Sequence, residues 1–118
     1  MENLISLLFL ARDIAHREHL RTDSFSKHMA LNSFYDEVID NADSLAEAYM
    51  GSYGVLDDFP IQASQSSSDI IKEFEKHVSW IDNNRYKICD KDDTPIQNLI
   101  DTTVETYLST LYKLKRLK

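Results

Sequence analysis

The sequence predicts an all-α protein: an antiparallel four-helix bundle with a long connection between its second and third helices, in one domain spanning 1–118. Three observations predict it. Across 118 residues there are only two glycines and two prolines, far too few for a β-sandwich or barrel, which needs a turn signal every 8–12 residues. Apolar residues recur at steps of three and four in four separate stretches. Two of the breaks between those stretches are tight, and one is long.

The first helix is predicted over about 2–20. Leu4, Leu8, Ala11 and Ala15 lie on one face, flanked by Leu7 and Ile14. Residues 21–24 are a polar break, and Leu20-Arg21-Thr22-Asp23 is too short for anything but a reversal, so the first two helices are antiparallel neighbours. Asp23 or Ser24 can cap the second helix. That helix runs over about 25–50 with the seam Leu31, Tyr35, Val38, Ala42, Leu45 and Tyr49, and Gly51 sits where a glycine would terminate it.

A connector of about 17 residues follows, with room for a short turn around 55–59. Its run Ser64-Gln65-Ser66-Ser67-Ser68 reads as a solvated lead-in to the next cap. The third helix is predicted over about 69–88, with Ile70, Ile71, Phe74, Val78 and Ile81 on its face. After Asp90-Lys91-Asp92-Asp93, the sequence Thr94-Pro95-Ile96-Gln97 has the form of a capping box with proline at the first helical position. It opens a fourth helix over about 95–117 that carries Ile96, Leu99, Ile100, Thr103, Tyr107, Leu111 and Leu114. A tight pair, a long crossing and a second tight pair is the ferritin-like arrangement of four helices.

Composition narrows the function. The net charge of −7 argues against a nucleic-acid-binding body, which needs clustered Lys and Arg against phosphate. Only the tail Lys113, Lys115, Arg116 and Lys118 offers such a contact, and cations there also complement the helix dipole. There are too few glycines for a dinucleotide fingerprint or a P-loop. The single Cys89 cannot form an internal disulfide, so a reducing compartment is expected, and no activating base near it suggests a reactive thiol. The apolar run 4–11 is far short of the ~20 residues that span a bilayer and follows Glu2 rather than a basic region. The expectation is a cytoplasmic protein with no membrane partner.

Several polar residues do not belong on a core. Taking ~100° per residue, His28, Asn32, Asp36, Asp43 and Glu47 lie within one arc beside the apolar seam of the second helix. This stripe reads either as a solvated shoulder or as a line of ligands. Asp43 and Glu47, four apart, suit a hard cation such as iron or manganese. His16 and His19, three apart, are neighbours at the end of the first helix. Glu18 projects near the centre of the apolar stripe and needs an Arg, a His or a metal beside it. His77 falls on the apolar face of the third helix, as a core or interface histidine does. No E-x-x-H, C-x-x-C or H-E-x-x-H occurs.

The stretch 15–51 resembles the first two helices of Dps, the ferritin-like DNA-protecting proteins, and is closer still to small ferritin-like proteins of bacteriophages. The resemblance rests on His19-Leu20, the loop Thr22-Asp23-Ser24-Phe25-Ser26-Lys27-His28, Tyr35-Asp36, Asp43-Ser44-Leu45-Ala46-Glu47 and Gly51. The ending Leu111-Tyr112-Lys113-Leu114-Lys115-Arg116-Leu117 resembles that of the phage proteins.

In Dps, ligands from two subunits form the iron-oxidising centre. The resemblance implies that His19 and His28 of one chain, with Asn32 beside them, face Asp43 and Glu47 of another. If His16 is the first ligand instead of His19, its spacing to His28 fits Dps but breaks the phage pattern. His16, Glu18 and Asp36 are therefore alternates. Asn32 stands where Dps has Asp, and an amide carbonyl is a weaker, neutral ligand. Leu20 stands where Dps has Trp. The resemblance implies a homo-oligomer, at least a dimer, that binds iron or another divalent metal and oxidises Fe(II) with peroxide or oxygen, in the bacterial host cytoplasm if phage-encoded. Beside it stands a non-enzymatic reading: an acidic bundle whose surface binds a host or viral protein.

Overall fold

The computed structural model describes residues 1–64 and 69–118. Four helices account for most of them, and no strand occurs among the described residues: α1 Glu2–Arg21, α2 Phe25–Tyr53, α3 Ile70–Ile88 and α4 Thr94–Arg116. The long axis of the molecule is 44 Å, the length of the 29-residue α2 at ~1.5 Å rise per residue. α1 packs on α2 and α3, and α4 packs on α2 and α3. α1 and α4 share one diagonal, and α2 and α3 the other.

The connection explains that arrangement. From Gly54 the chain runs back along α1 as an extended strap. The Asp57 amide donates to Glu2 Oε2 at 2.8 Å, and Phe59 stacks edge-on against Phe9. The Ser6 hydroxyl donates to the Pro60 carbonyl at 2.7 Å, and Arg17 Nη1 reaches the Ser64 carbonyl. Because α1 is followed from its first turn to its last, α3 starts at the same end of the bundle as α2 and runs parallel to it. The turn expected around 55–59 is absent, since Phe59 is held against α1 instead. The serine-rich lead-in at 65–68 lies outside the described residues.

The core takes Leu4, Leu8, Ala11 and Ala15 from α1, Leu31, Phe34, Val38, Ala42 and Leu45 from α2, Phe74 and Ile81 from α3, and Ile96, Ile100, Tyr107 and Leu111 from α4. At its centre Phe34, Phe74 and Tyr107 contact one another with ring centroids 4.4, 5.0 and 5.2 Å apart, the tilted and edge-on geometry that aromatic quadrupoles favour. The seam of α2 turns on Phe34, with Tyr35 and Tyr49 only half-buried at its edges. Threonines on α4 are buried because the helix satisfies them. Thr103 and Thr106 donate to the carbonyls four residues earlier, and Thr106 also accepts from Asn41 of α2.

Two helix ends differ from expectation. Gly51 does not stop α2, which continues to Tyr53. Gly54, at φ 93°, is the residue whose backbone conformation ends it. At the start of α4, Thr94 is itself helical, its cap is Asp93, and no side-chain cap bond forms. Gln97 cannot reach back to complete a capping box because its side chain is buried in the α3–α4 corner. There its amide donates to the carbonyls of Arg85 and Cys89, and its oxygen accepts from Arg85 Nε. Arg85 also pairs with Asp101 at 2.6 Å. Of the two residues expected to cap α2, Ser24 does so, accepting from the Lys27 amide.

Candidate functional site

The three-residue break 22–24 between α1 and α2 folds His19 against His28. Their rings stack with centroids 3.7 Å apart. Each contacts the other's main chain: His19 Nδ1 lies 2.7 Å from the His28 carbonyl, and His28 Nδ1 lies 2.8 Å from the His19 carbonyl. A carbonyl only accepts, so both Nδ1 atoms carry the proton and donate. In the neutral rings the lone pair is then on Nε2. A metal-binding histidine is prepared in this way, with one ring nitrogen fixed by a carbonyl and the other free to coordinate.

Tyr35 forms the wall of this corner. Its ring stacks on His16 at 4.4 Å and meets His19 edge-on at 5.3 Å. Its hydroxyl donates to Asn32 Oδ1 at 2.7 Å, and the Asn32 amide donates weakly to Asp36 at 3.4 Å. His19 is 8 % exposed, His28 and Asn32 are half-buried, and His16 and Asp36 are exposed. The sequence placed Tyr35 in the apolar seam. Its hydroxyl, on the edge of the seam next to the stripe that holds Asn32 and Asp36, is the signal for its second role.

Glu18 finds its partners in arginine rather than in a metal. Its carboxylate lies 3.2 Å from Arg21 Nη1 and 3.4 Å from Arg17 Nε, so it belongs to an ion-pair cluster beside the corner.

Asp43 and Glu47 lie further along α2, Asp43 exposed on its surface. Asp43 stands fifteen residues beyond His28, which is about 22 Å of helix, so one chain cannot bring the two groups together. No group of three or more His, Cys, Asp or Glu able to hold a metal occurs among the described residues. Of the tail, Lys115 pairs with Glu75 at 3.1 Å, Lys113 is half-buried, and Arg116 and Lys118 are exposed. Cys89 is buried, and its thiol pKa is raised by desolvation, as expected of a structural cysteine.

The fold and the site thus define a four-helix protein with a paired-histidine corner at its first turn. The chain belongs to a family of unknown function, DUF5856, which it matches over residues 19–114, a span that begins at His19 and includes His28, Asn32, Asp43 and Glu47. No curated protein and no solved structure matches it. No helix among the described residues is long and apolar enough to cross a membrane.

Proposed function

We propose that the protein is a Dps/ferritin-like metal-binding bundle that works as a homodimer or larger homo-oligomer. Fe(II), or another divalent cation, binds between two chains. His19, His28 and Asn32 of one protomer face Asp43 and Glu47 of a second. The observation that carries this reading is the reciprocal pair of Nδ1–H···O=C bonds, which turns both imidazoles into ready ligands through Nε2. Asp43 and Glu47 supply what the corner lacks: two hard carboxylates, four apart on one helix. An antiparallel pairing that sets His28 level with them puts the two-fold axis near Asp36. The parallel course of α2 and α3 supports the ferritin-like assignment.

Each Fe(II) gives one electron to peroxide or oxygen, two of them reducing one peroxide and two protons to water, and the carboxylates favour the resulting Fe(III). With Asn32 in place of a carboxylate, one of two cation positions is weak. Any contact with nucleic acid falls to Lys113, Lys115, Arg116 and Lys118.

The test combines mass in solution with Fe(II) oxidation followed optically for the wild type, His28→Ala and Glu47→Ala. A dimer or dodecamer is expected, with iron uptake lost in both variants. A monomer, or uptake unchanged in both, overturns the reading. A monomer that retains no iron leaves the bundle as a surface for a host or viral protein.

A further inference from the structure

The histidine corner leaves one buried pair of titratable groups without a role. Tyr107 is fully buried, and its hydroxyl lies 2.9 Å from His77 Nδ1. His77 is 5 % exposed, and burial pushes its pKa down to about 4, so at neutral pH the ring carries a single N–H. Among the described residues the Tyr107 hydroxyl has no other hydrogen-bond partner. If Nδ1 were the donor, the phenolic hydrogen would be buried without an acceptor, an arrangement that buried polar groups avoid. The phenol therefore donates to Nδ1, and the imidazole N–H is on Nε2. Nε2 lies toward Glu73, whose half-exposed carboxylate is 3.9 Å away. That is too far for a hydrogen bond but close enough to stabilise a cation. Phenol, neutral base and carboxylate thus run in line from the centre of the bundle to its surface.

We propose that Tyr107 and His77 form a proton-coupled one-electron donor, a buried tyrosine that can be oxidised reversibly to a neutral radical. The oxidant is a one-electron acceptor stronger than the tyrosyl couple, of the radical class that Fe(II) and peroxide generate together. It takes one electron from the Tyr107 ring. The phenolic O–H bond breaks, and its proton crosses to His77 Nδ1. The products are a neutral tyrosyl radical, an imidazolium facing Glu73, and the oxidant reduced by one electron. A one-electron reductant reverses the step, and the proton returns.

Three features favour this chemistry over simple mutual satisfaction of two polar groups. Burial raises the phenol pKa well above its ordinary value, so the proton stays until the ring is oxidised. The acceptor is uncharged and can take that proton. A path leads inward from the histidine corner, part ring contact and part covalent: His19 meets Tyr35, Tyr35 joins Phe34 only through the main chain, and the Phe34 ring lies 5.0 Å from Tyr107.

Only the source of the oxidant rests on the iron-oxidation reading, so the experiment uses metal-free protein and a flash-generated ruthenium(III) tris-bipyridine oxidant. Transient absorption and freeze-quench paramagnetic resonance follow the radical. The expected result is a long-lived tyrosyl signal that Tyr107→Phe abolishes. His77→Gln, which keeps a hydrogen-bonding side chain but loses the base, forms it more slowly and without the solvent deuterium effect of the wild type. Circular dichroism checks that both variants fold. If the long-lived radical survives in Tyr107→Phe, residing on another tyrosine or on Trp80, or if His77→Gln leaves rate and isotope effect unchanged, the inference fails. It then fails whatever the protein does with iron.

Discussion

Single side chains carry two of the sharpest expectations. His77 is held neutral in the core, with its pKa lowered from 6.5 to about 4 by burial. Between those values the unfolded chain binds a proton that the folded chain does not. Stability is therefore full above about pH 6.5 and falls as the pH drops toward 4, by about 3 kcal/mol at most. Urea unfolding at pH 7 and pH 4.5 measures it, and His77→Gln should remove most of the difference. The second expectation concerns Asn32. Asn32→Asp restores a charged ligand beside His28, and cation affinity should rise about tenfold, or ~1.4 kcal/mol, by calorimetric titration with Co(II). Without the cation, the new carboxylate sits against Asp36, its present hydrogen-bond partner, and the fold should lose a fraction of a kcal/mol from like-charge repulsion. The reversal of α1 onto α2 was legible in the sequence because so short a break allows nothing else, whereas the placing of His19 with His28 came from the family resemblance. The pairing of His77 with Tyr107 was not, because it joins residues thirty apart on helices whose relative rotation no local pattern records. Nor did spacing reveal that Glu18 answers to Arg21 and Arg17, since a helical wheel ranks directions and not rotamers.

At the scale of the helices, periodicity located all four and their breaks, but misjudged how two of them end or begin. Gly51 was the nearer glycine and looked like a terminator, yet helix ends are set by backbone dihedrals, and it is Gly54 that adopts φ 93° and ψ 175°. Gly51 is helical, and a methyl group added there would meet nothing within 4 Å, so the glycine only adds unfolded-state entropy. Gly51→Ala should therefore raise stability by about 0.5–1 kcal/mol. Gly54→Ala should lower it by about 1–3 kcal/mol, because that region of dihedral space admits little but glycine. Thermal melts of the two variants, moving in opposite directions, check the assignment. The start of α4 teaches the same lesson. Gln97 fits a capping box by type and spacing, but three main-chain carbonyls and Arg85 in the α3–α4 corner draw it inward.

Over the whole molecule the charge is segregated. Arg17 and Arg21 end α1, Lys72 and Lys76 begin α3, and Lys113, Lys115 and Arg116 end α4, all at the pole that holds the histidine corner. The opposite pole gathers Glu2, Asp57, Asp58, Asp90, Asp92 and Asp93. Composition alone reported only the sum of −7, because the segregation depends on how helix directions alternate. Antiparallel pairing of two chains lays each basic pole against an acidic one, so the proposed dimer should weaken as salt shortens the screening length below ~10 Å. Sedimentation at low and high ionic strength reads this directly, and a salt-insensitive dimer would point to an apolar interface elsewhere. The strap along α1 has a consequence of its own. It is the longest described stretch with no helical hydrogen-bond ladder, and it joins two hairpins, α1–α2 and α3–α4, each with an open apolar face. A protease that nicks it between Gly54 and Ser64 severs the covalent link and leaves every interhelical contact in place. The two fragments should then stay together through a gel-filtration column, come apart only in denaturant, and reassemble when mixed: a split protein whose halves are complementary by the order in which the chain was wound.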